Sequence, residues 1–273
     1  MAQYLIFVDL DGTLLDASSK ISEFTKNTLH KIESLGHKVI ISTGRPYHSC
    51  KDYYEEINPN NPLIIDNGGT IRIPSDNGHK IIVDGIPSKL NHELFKFSQP
   101  YLVSAFYSYK DYVFSYQYLE RLHKIFLGSE KLDPNKLIHC NFLDYDNEPA
   151  GLIYLIENQF IDQFEKFLKD HRNELRYFFW GKDQKHAVYE IANASTTKLS
   201  GVKYVKQLLN FPKENIIAFG DSFNDIEMIS GVHHGVAMKN GCDEVKSVAK
   251  DITEFTNEED GVAKYLLKYL NLK

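Results

Sequence analysis

Asp9 and Asp11 stand two residues apart at the end of an apolar run, in Asp9-Leu10-Asp11-Gly12-Thr13. On extended backbone, residues i and i+2 project to one side, and the turn announced by Gly12 and Thr13 can aim both carboxylates into one crevice. Such a pair can divide labour, one as nucleophile and the other as general acid and base. Taken alone, it is better explained as acidic residues that cap a following helix or face water. Three further polar groups follow apolar runs: Ser42-Thr43-Gly44, Asp66-Asn67-Gly68-Gly69, and Gly220-Asp221-Ser222 with Asn224 and Asp225. The hydroxyls and backbone N–H groups of the first can hold phosphate oxygens. Each group by itself also reads as ordinary turn or cap chemistry. Four of them at four strand ends are hard to ascribe to turns. Asp9, Asp11 and Asp221, with Asp225 nearby, form an all-oxygen set suited to a hard cation, Mg²⁺ in particular. Lys198 follows Ser195, Thr196 and Thr197 at the start of a helical pattern. A cation there opposes the helix dipole unless an anion sits beside it, so the position predicts a bound anion. A lone lysine is otherwise a solvated surface charge.

The elements that must position these residues are legible as a rhythm. YLIFV, a helical pattern over 22–35, KVIIST, a helix after Pro46 and PLIID alternate as βαβαβ, the sign of a parallel sheet covered on both faces. Ser22 suits an N-cap, and Gly36 a C-terminal stop, for the first helix. The rhythm returns late, with a helix over 198–209, the strand NIIAFGD, a helix around 225–229, the strand HGVAM and a helix near 262–270. Open sheets of this class place ligands at the carboxyl ends of their strands. The middle differs, because aromatic alternating stretches are separated there by amphipathic helices. In NQFIDQFEKFLKDH, the residues Phe160, Ile161, Phe164, Phe167 and Leu168 fall on one helical face. The expected fold is α/β, a Rossmann-like parallel-sheet core of residues 1–86 and 187–273 with an inserted α+β domain over 87–186. A hairpin is expected to turn at Asp76, Asn77 and Gly78 near the first junction.

Composition narrows the function classes. Across 273 residues, 42% are hydrophobic and 25% charged, which fits a folded chain with a core and argues against disorder or a membrane protein. Lys and Arg total 31 against 37 Asp and Glu, a formal charge of −6, so there is no electrostatic footprint for nucleic acid. Cys50, Cys140 and Cys242 are too widely spaced for a disulfide framework or a cysteine zinc site, and a reducing cytoplasm is expected. The apolar run from Tyr4 ends on an acid and has no basic leader, which suits a buried strand better than a signal peptide or a membrane span. Oligomeric state is not readable from these features.

In order along the chain, DLDGTLLD from Asp9, STGRP from Ser42, DNGG from Asp66, Lys198, GDSFND from Gly220 and DGVAKYL from Asp260 resemble the haloacid dehalogenase superfamily. Within it, the chain is similar to the Cof-type sugar-phosphate phosphatases, whose large cap is inserted after the third core strand. The resemblance implies a Mg²⁺-dependent phosphomonoester hydrolase acting on small phosphorylated metabolites. It assigns Asp9 as the nucleophile that forms an aspartyl-phosphate, and Asp11 as the group that protonates the leaving oxygen and then activates water. It implies that the Asp9 side chain, the Asp11 carbonyl and Asp221 bind Mg²⁺, with Asp225 supporting them. Thr43, Gly44, Lys198 and Asn224 would hold the phosphoryl group. A phosphomutase or phosphotransferase would share this acidic core, and a non-catalytic phospho-ligand sensor is the other alternative. Leu199 and Lys239 depart from the family pattern, which usually has a small residue and a glycine there. Tyr107, Tyr109, Tyr112, His139 and Trp180 are candidates for reading the leaving group from the inserted domain.

Overall fold

In the computed structural model, which describes residues 3–76, 78–127 and 133–272, the run Leu5–Val8 (β1) is buried at every position. A strand with no polar face needs cover on both sides, which a parallel sheet flanked by helices supplies. The chain continues through α1 (Glu23–Ser34), β2 (Lys38–Ile41), α2 (Tyr47–Ile57), β3 (Leu63–Ile65) and the strands β4 (Thr70–Ser75) and β5 (Gly78–Val83). The Ser22 hydroxyl caps α1 as its position predicts, accepting from the Thr25 N–H at 3.0 Å. Of the expected hairpin turn between β4 and β5, Asn77 lies outside the described residues.

The inserted segment folds as α3 (Ser88–Ser98), β6 (Leu102–Tyr109), β7 (Tyr112–Tyr116), α4 (Glu120–Leu127), β8 (Leu137–His139), β9 (Gly151–Glu157), α5 (Ile161–Asp170), β10 (Leu175–Lys182) and β11 (His186–Asn193). These strands form one sheet in the order β10-β11-β9-β6-β7-β8, antiparallel except for β7 with β8. Phe164 and Leu168 of α5 are buried, and Phe160, Ile161 and Phe167 pack around the same core, so the five share a face as their spacing predicts. Tyr107 is 1% exposed and stacks on Phe114 with ring centroids 5.0 Å apart. It is a core residue, which removes it from the leaving-group candidates. Tyr112, His139 and Trp180 are exposed, and Tyr109 is half-buried.

The chain returns through α6 (Lys198–Leu208), β12 (Ile216–Gly220), α7 (Ile226–Gly231), β13 (His234–Ala237), α8 (Asp243–Val248), β14 (Asp251–Ile252) and α9 (Gly261–Tyr269). Its strands join the first ones in a parallel sheet ordered β14-β13-β12-β1-β2. A bridge from Ser42 to Ile64 sets β3 beside the end of β2. Two compact units result, one of Met1–Gly44, Cys50–Lys80 and Thr197–Lys273, the other of Arg45–Ser49 and Ile81–Thr196. The second crossing therefore falls ten residues beyond the expected 186/187 boundary, because β11 is an interior strand of the inserted sheet, paired with both β9 and β10. At the edge of the parallel sheet, β14 is two residues long, and the Ile252 N–H donates to the Asp251 carboxylate at 2.8 Å.

Candidate active site

Parallel pairing of β1 with β12 sets Val8 opposite Phe219, and the Asp9 N–H donates to the Phe219 carbonyl at 3.2 Å. The carboxyl ends of two adjacent strands thereby bring Asp9 and Asp221 together, and one carboxylate oxygen from each of Asp9, Asp221 and Asp225 lies within 4.8 Å of the others. Lys198 is buried among them, its Nζ donating to Asp9 Oδ1 at 2.7 Å and to Asp225 Oδ1 at 2.6 Å. The anion that its place at a helix start predicts is thus two of the protein's own carboxylates. Thr197 caps α6 from outside, its hydroxyl accepting from the Ser200 N–H at 3.1 Å. Asp225 spends its other oxygen on the N–H groups of Asp221 and Ser222, both at 3.0 Å. It is a brace for the lysine and for the turn after β12, which leaves Asp9 and Asp221 as the carboxylates best disposed toward a cation.

Asp9 and Asp225 share the Lys198 ammonium, and the half-buried Asp221 lies beside them. Burial pushes Asp9 up to about 8, reinforced by Asp225 and Asp221 and opposed by Lys198. Asp221 rises to about 6, first through burial and then through Asp225, while its hydrogen bond from the Thr13 hydroxyl at 2.9 Å works the other way. Burial disfavours the charged form of Lys198, but Asp225 and Asp9 outweigh it and hold the ammonium above its ordinary value. The surplus of two carboxylates over the one ammonium matches the charge of a divalent cation, and the donors are hard oxygens. The residues present therefore fit such an ion.

The turn after β1 is shaped for this crowding. Gly12 has φ +71°, a left-handed conformation, and a Cβ on it would land on the Asp221 carboxylate. Asp11 is exposed at the start of that turn. On the other side, Thr43 is buried, its N–H donates to the Ile64 carbonyl at 3.0 Å, and its own carbonyl accepts from the Asn67 N–H at 3.1 Å. A Cβ on Gly44 would sit 2.9 Å from Asn67 Oδ1 and 3.4 Å from Asn224 Nδ2. The Asn224 amide in turn donates to Asn67 Oδ1 at 2.9 Å. Thr43, Gly44 and Asn224 therefore form one group and Asp9, Lys198 and Asp221 another, joined through the neighbours Asn224 and Asp225.

Asn67 belongs to the first group although the turn it sits in gave no single residue prominence. Asp66, Asn67 and Gly68 have successive φ values of +52°, +53° and +96°. Asn and Asp tolerate that region better than other side chains, so Asp-Asn-Gly at a strand end was the available signal. Thr13 was missed for a different reason, since its contact with Asp221 spans 208 positions. Of the two departures, Leu199 fills the space that Gly231 leaves open, its side-chain carbons lying where a Cβ at 231 would be. Lys239 is exposed, and its backbone N–H donates to Thr253 Oγ1 at 2.9 Å.

Comparison with known proteins identifies the family. The haloacid dehalogenase-like hydrolase profile matches residues 6–266. The chain is 32% identical over 272 residues to the Bacillus subtilis 5-amino-6-(5-phospho-D-ribitylamino)uracil phosphatase YitU, covering 98% of both proteins. Its fold is like that of TM0651 from Thermotoga maritima, with a TM-score of 0.82, 22% identity and coverage of 98% and 97% of the two chains. It is also like the HAD subclass IIB sugar phosphatase BT4131, with a TM-score of 0.74, 21% identity and coverage of 98% and 99%. With Asp9, Asp221, Asp225 and Lys198 gathered at adjacent strand ends and the profile spanning nearly every residue, the chain belongs to the haloacid dehalogenase-like hydrolases.

Proposed function

We propose that this chain hydrolyses phosphate monoesters of small metabolites, through an aspartyl-phosphate on Asp9 and with Mg²⁺ as its cofactor. The observation that carries the reading is the buried Asp9 carboxylate, with one oxygen held by Lys198 at 2.7 Å, next to Asp221 at adjacent strand ends. Asp9 attacks phosphorus as the bond to the ester oxygen breaks, and Asp11 gives that oxygen its proton. Asp11 then takes a proton from water as the water oxygen bonds to phosphorus and Asp9 is released, yielding inorganic phosphate. Thr43, Gly44, Asn224 and Lys198 hold the phosphoryl oxygens, since such transfer depends on positioning and charge neutralisation above all. A bound Mg²⁺, held by the Asp9 side chain, the Asp11 carbonyl and Asp221, would neutralise phosphoryl charge.

Substrates of the sugar-phosphate kind are favoured by two relatives, one named for a phosphorylated ribityl compound and one for a sugar phosphate. Among the described residues no helix is long and apolar enough to cross a membrane, and the reading includes turnover in a reducing cytoplasm, which the sparse, widely spaced cysteines suit. Asp9→Asn keeps the shape of the side chain and removes the nucleophile. Phosphate release from a panel of sugar phosphates and p-nitrophenyl phosphate in Mg²⁺ is expected to vanish in this variant. Parent-like turnover by Asp9→Asn would refute the covalent route.

A further inference from the structure

The turn that carries Asp11 is held at several points by side chains from the far end of the sequence. Within the turn, the N–H groups of Leu14 and Leu15 converge on the Leu10 carbonyl, and the Asp16 N–H on that of Lys20. Two of its carbonyls are met from outside: Asn240 Nδ2 donates to Gly12 at 2.7 Å, and Asn257 Nδ2 donates to Leu15 at 2.8 Å. The Ala17 N–H donates to Glu258 Oε1 at 2.7 Å. The two asparagines are themselves joined, because the Asn257 N–H donates to Asn240 Oδ1 at 3.0 Å. The loop bearing Asn240 is also tied to the end of β12, where the Met238 N–H meets the Gly220 carbonyl and the Cys242 N–H the Asp221 carbonyl, both at 2.9 Å. Asn257 opens a tight turn closed by Thr256 and Glu259, with the Thr256 N–H donating to the Glu259 carboxylate at 3.0 Å.

From these contacts we infer that Asn240 and Asn257 are positioning residues, which fix the turn after β1 against the Asp221 strand end and so aim Asp11 at the leaving oxygen. The inference rests on the acid-base role given to Asp11 above. Gly12 lacks a Cβ and sits at positive φ, so its peptide has little steric restraint of its own. A fixed carbonyl at Gly12 restrains the neighbouring Asp11 on one side and Thr13, with its bond to Asp221, on the other. An asparagine suits the place because it accepts from Asn257 and donates to Gly12 at once. An aspartate could only accept.

Leaving-group dependence separates positioning of an acid from general loosening. An alkyl phosphate needs its leaving oxygen protonated, whereas p-nitrophenolate leaves with little help. Asn240→Asp, which keeps size and acceptor, and Asn257→Ala are compared with the parent in excess Mg²⁺, using ribose 5-phosphate and p-nitrophenyl phosphate. In both variants kcat/KM is expected to fall about tenfold for the alkyl ester and less than about threefold for the aryl ester, with Tm near that of the parent. Equal losses on the two esters, no loss, or a loss that follows a lowered Tm would overturn the inference. Asp11→Asn measured alongside keeps the readings apart. If it strikes both esters equally while the asparagine variants still discriminate, the role given to Asp11 fails and the positioning of the turn stands. Should Asp11→Asn discriminate and the asparagine variants not, the positioning role fails alone.

Discussion

Asp9 and Asp221 carry protons in the folded chain at pH values where an unfolded chain has released them, because burial disfavours their charged forms. A carboxyl raised in this way stabilises the fold below its ordinary value of 3.8 and loses that contribution as pH climbs through the folded value. Asp221 loses it by about 6 and Asp9 by about 8. Chelator-treated protein is therefore expected to melt at a lower temperature at pH 8 than at pH 5.5. A divalent cation reverses the sign, since it favours the deprotonated carboxylates and competes with protons for them. Thermal unfolding with and without Mg²⁺ at the two pH values tests this. The rise in Tm on adding Mg²⁺ is expected to be larger at pH 8, and an increment independent of pH would count against Asp9 and Asp221 as its ligands.

At the scale of elements, the turn after β1 is the part least tolerant of change. Gly12→Ala places a methyl on the Asp221 carboxylate and forces an L side chain into left-handed backbone. The strain alone is worth about 1–2 kcal/mol, and the displaced Asp221 is expected to lower kcat at least tenfold, measured by urea unfolding and phosphate release. Much of this region was legible beforehand, because apolar runs ending in polar clusters mark parallel strand ends. Asp9 and Asp221 meet at adjacent strand ends, as that pattern expects, whereas Lys198 was marked only by its place at a helix start, and its partners there are Asp9 and Asp225. What escaped is of two kinds. Thr13, Asn67, Asn240 and Asn257 act through contacts with residues 157 to 242 positions away, and local periodicity carries no trace of such partners. Tyr107 and β11 escaped because alternation shows that a strand has two faces without showing which neighbour covers each, or which sheet it joins.

For the whole molecule, the ion pair from Lys198 to Asp9 closes a chain separation of 189 residues, most of it occupied by the inserted domain. The entropy of closing a flexible loop grows only with the logarithm of its length, so a core of this kind tolerates a large insertion. We propose that the inserted domain selects the leaving group, with exposed aromatics such as Tyr112 and Trp180 available for it. Tyr112→Ala and Trp180→Ala are expected to reorder rates across a sugar-phosphate panel while leaving p-nitrophenyl phosphate within about twofold. An unchanged ranking in both would remove these two side chains from that role. The far edge of the parallel sheet has a separate consequence. Edge strands are templates on which other chains can add by main-chain pairing. At β14 the available ladder is two residues long, and the Ile252 N–H is already taken by the Asp251 carboxylate. A second molecule that approached this edge would meet a fixed negative charge in place of a free donor, so the sheet resists growing into an aggregate from that side.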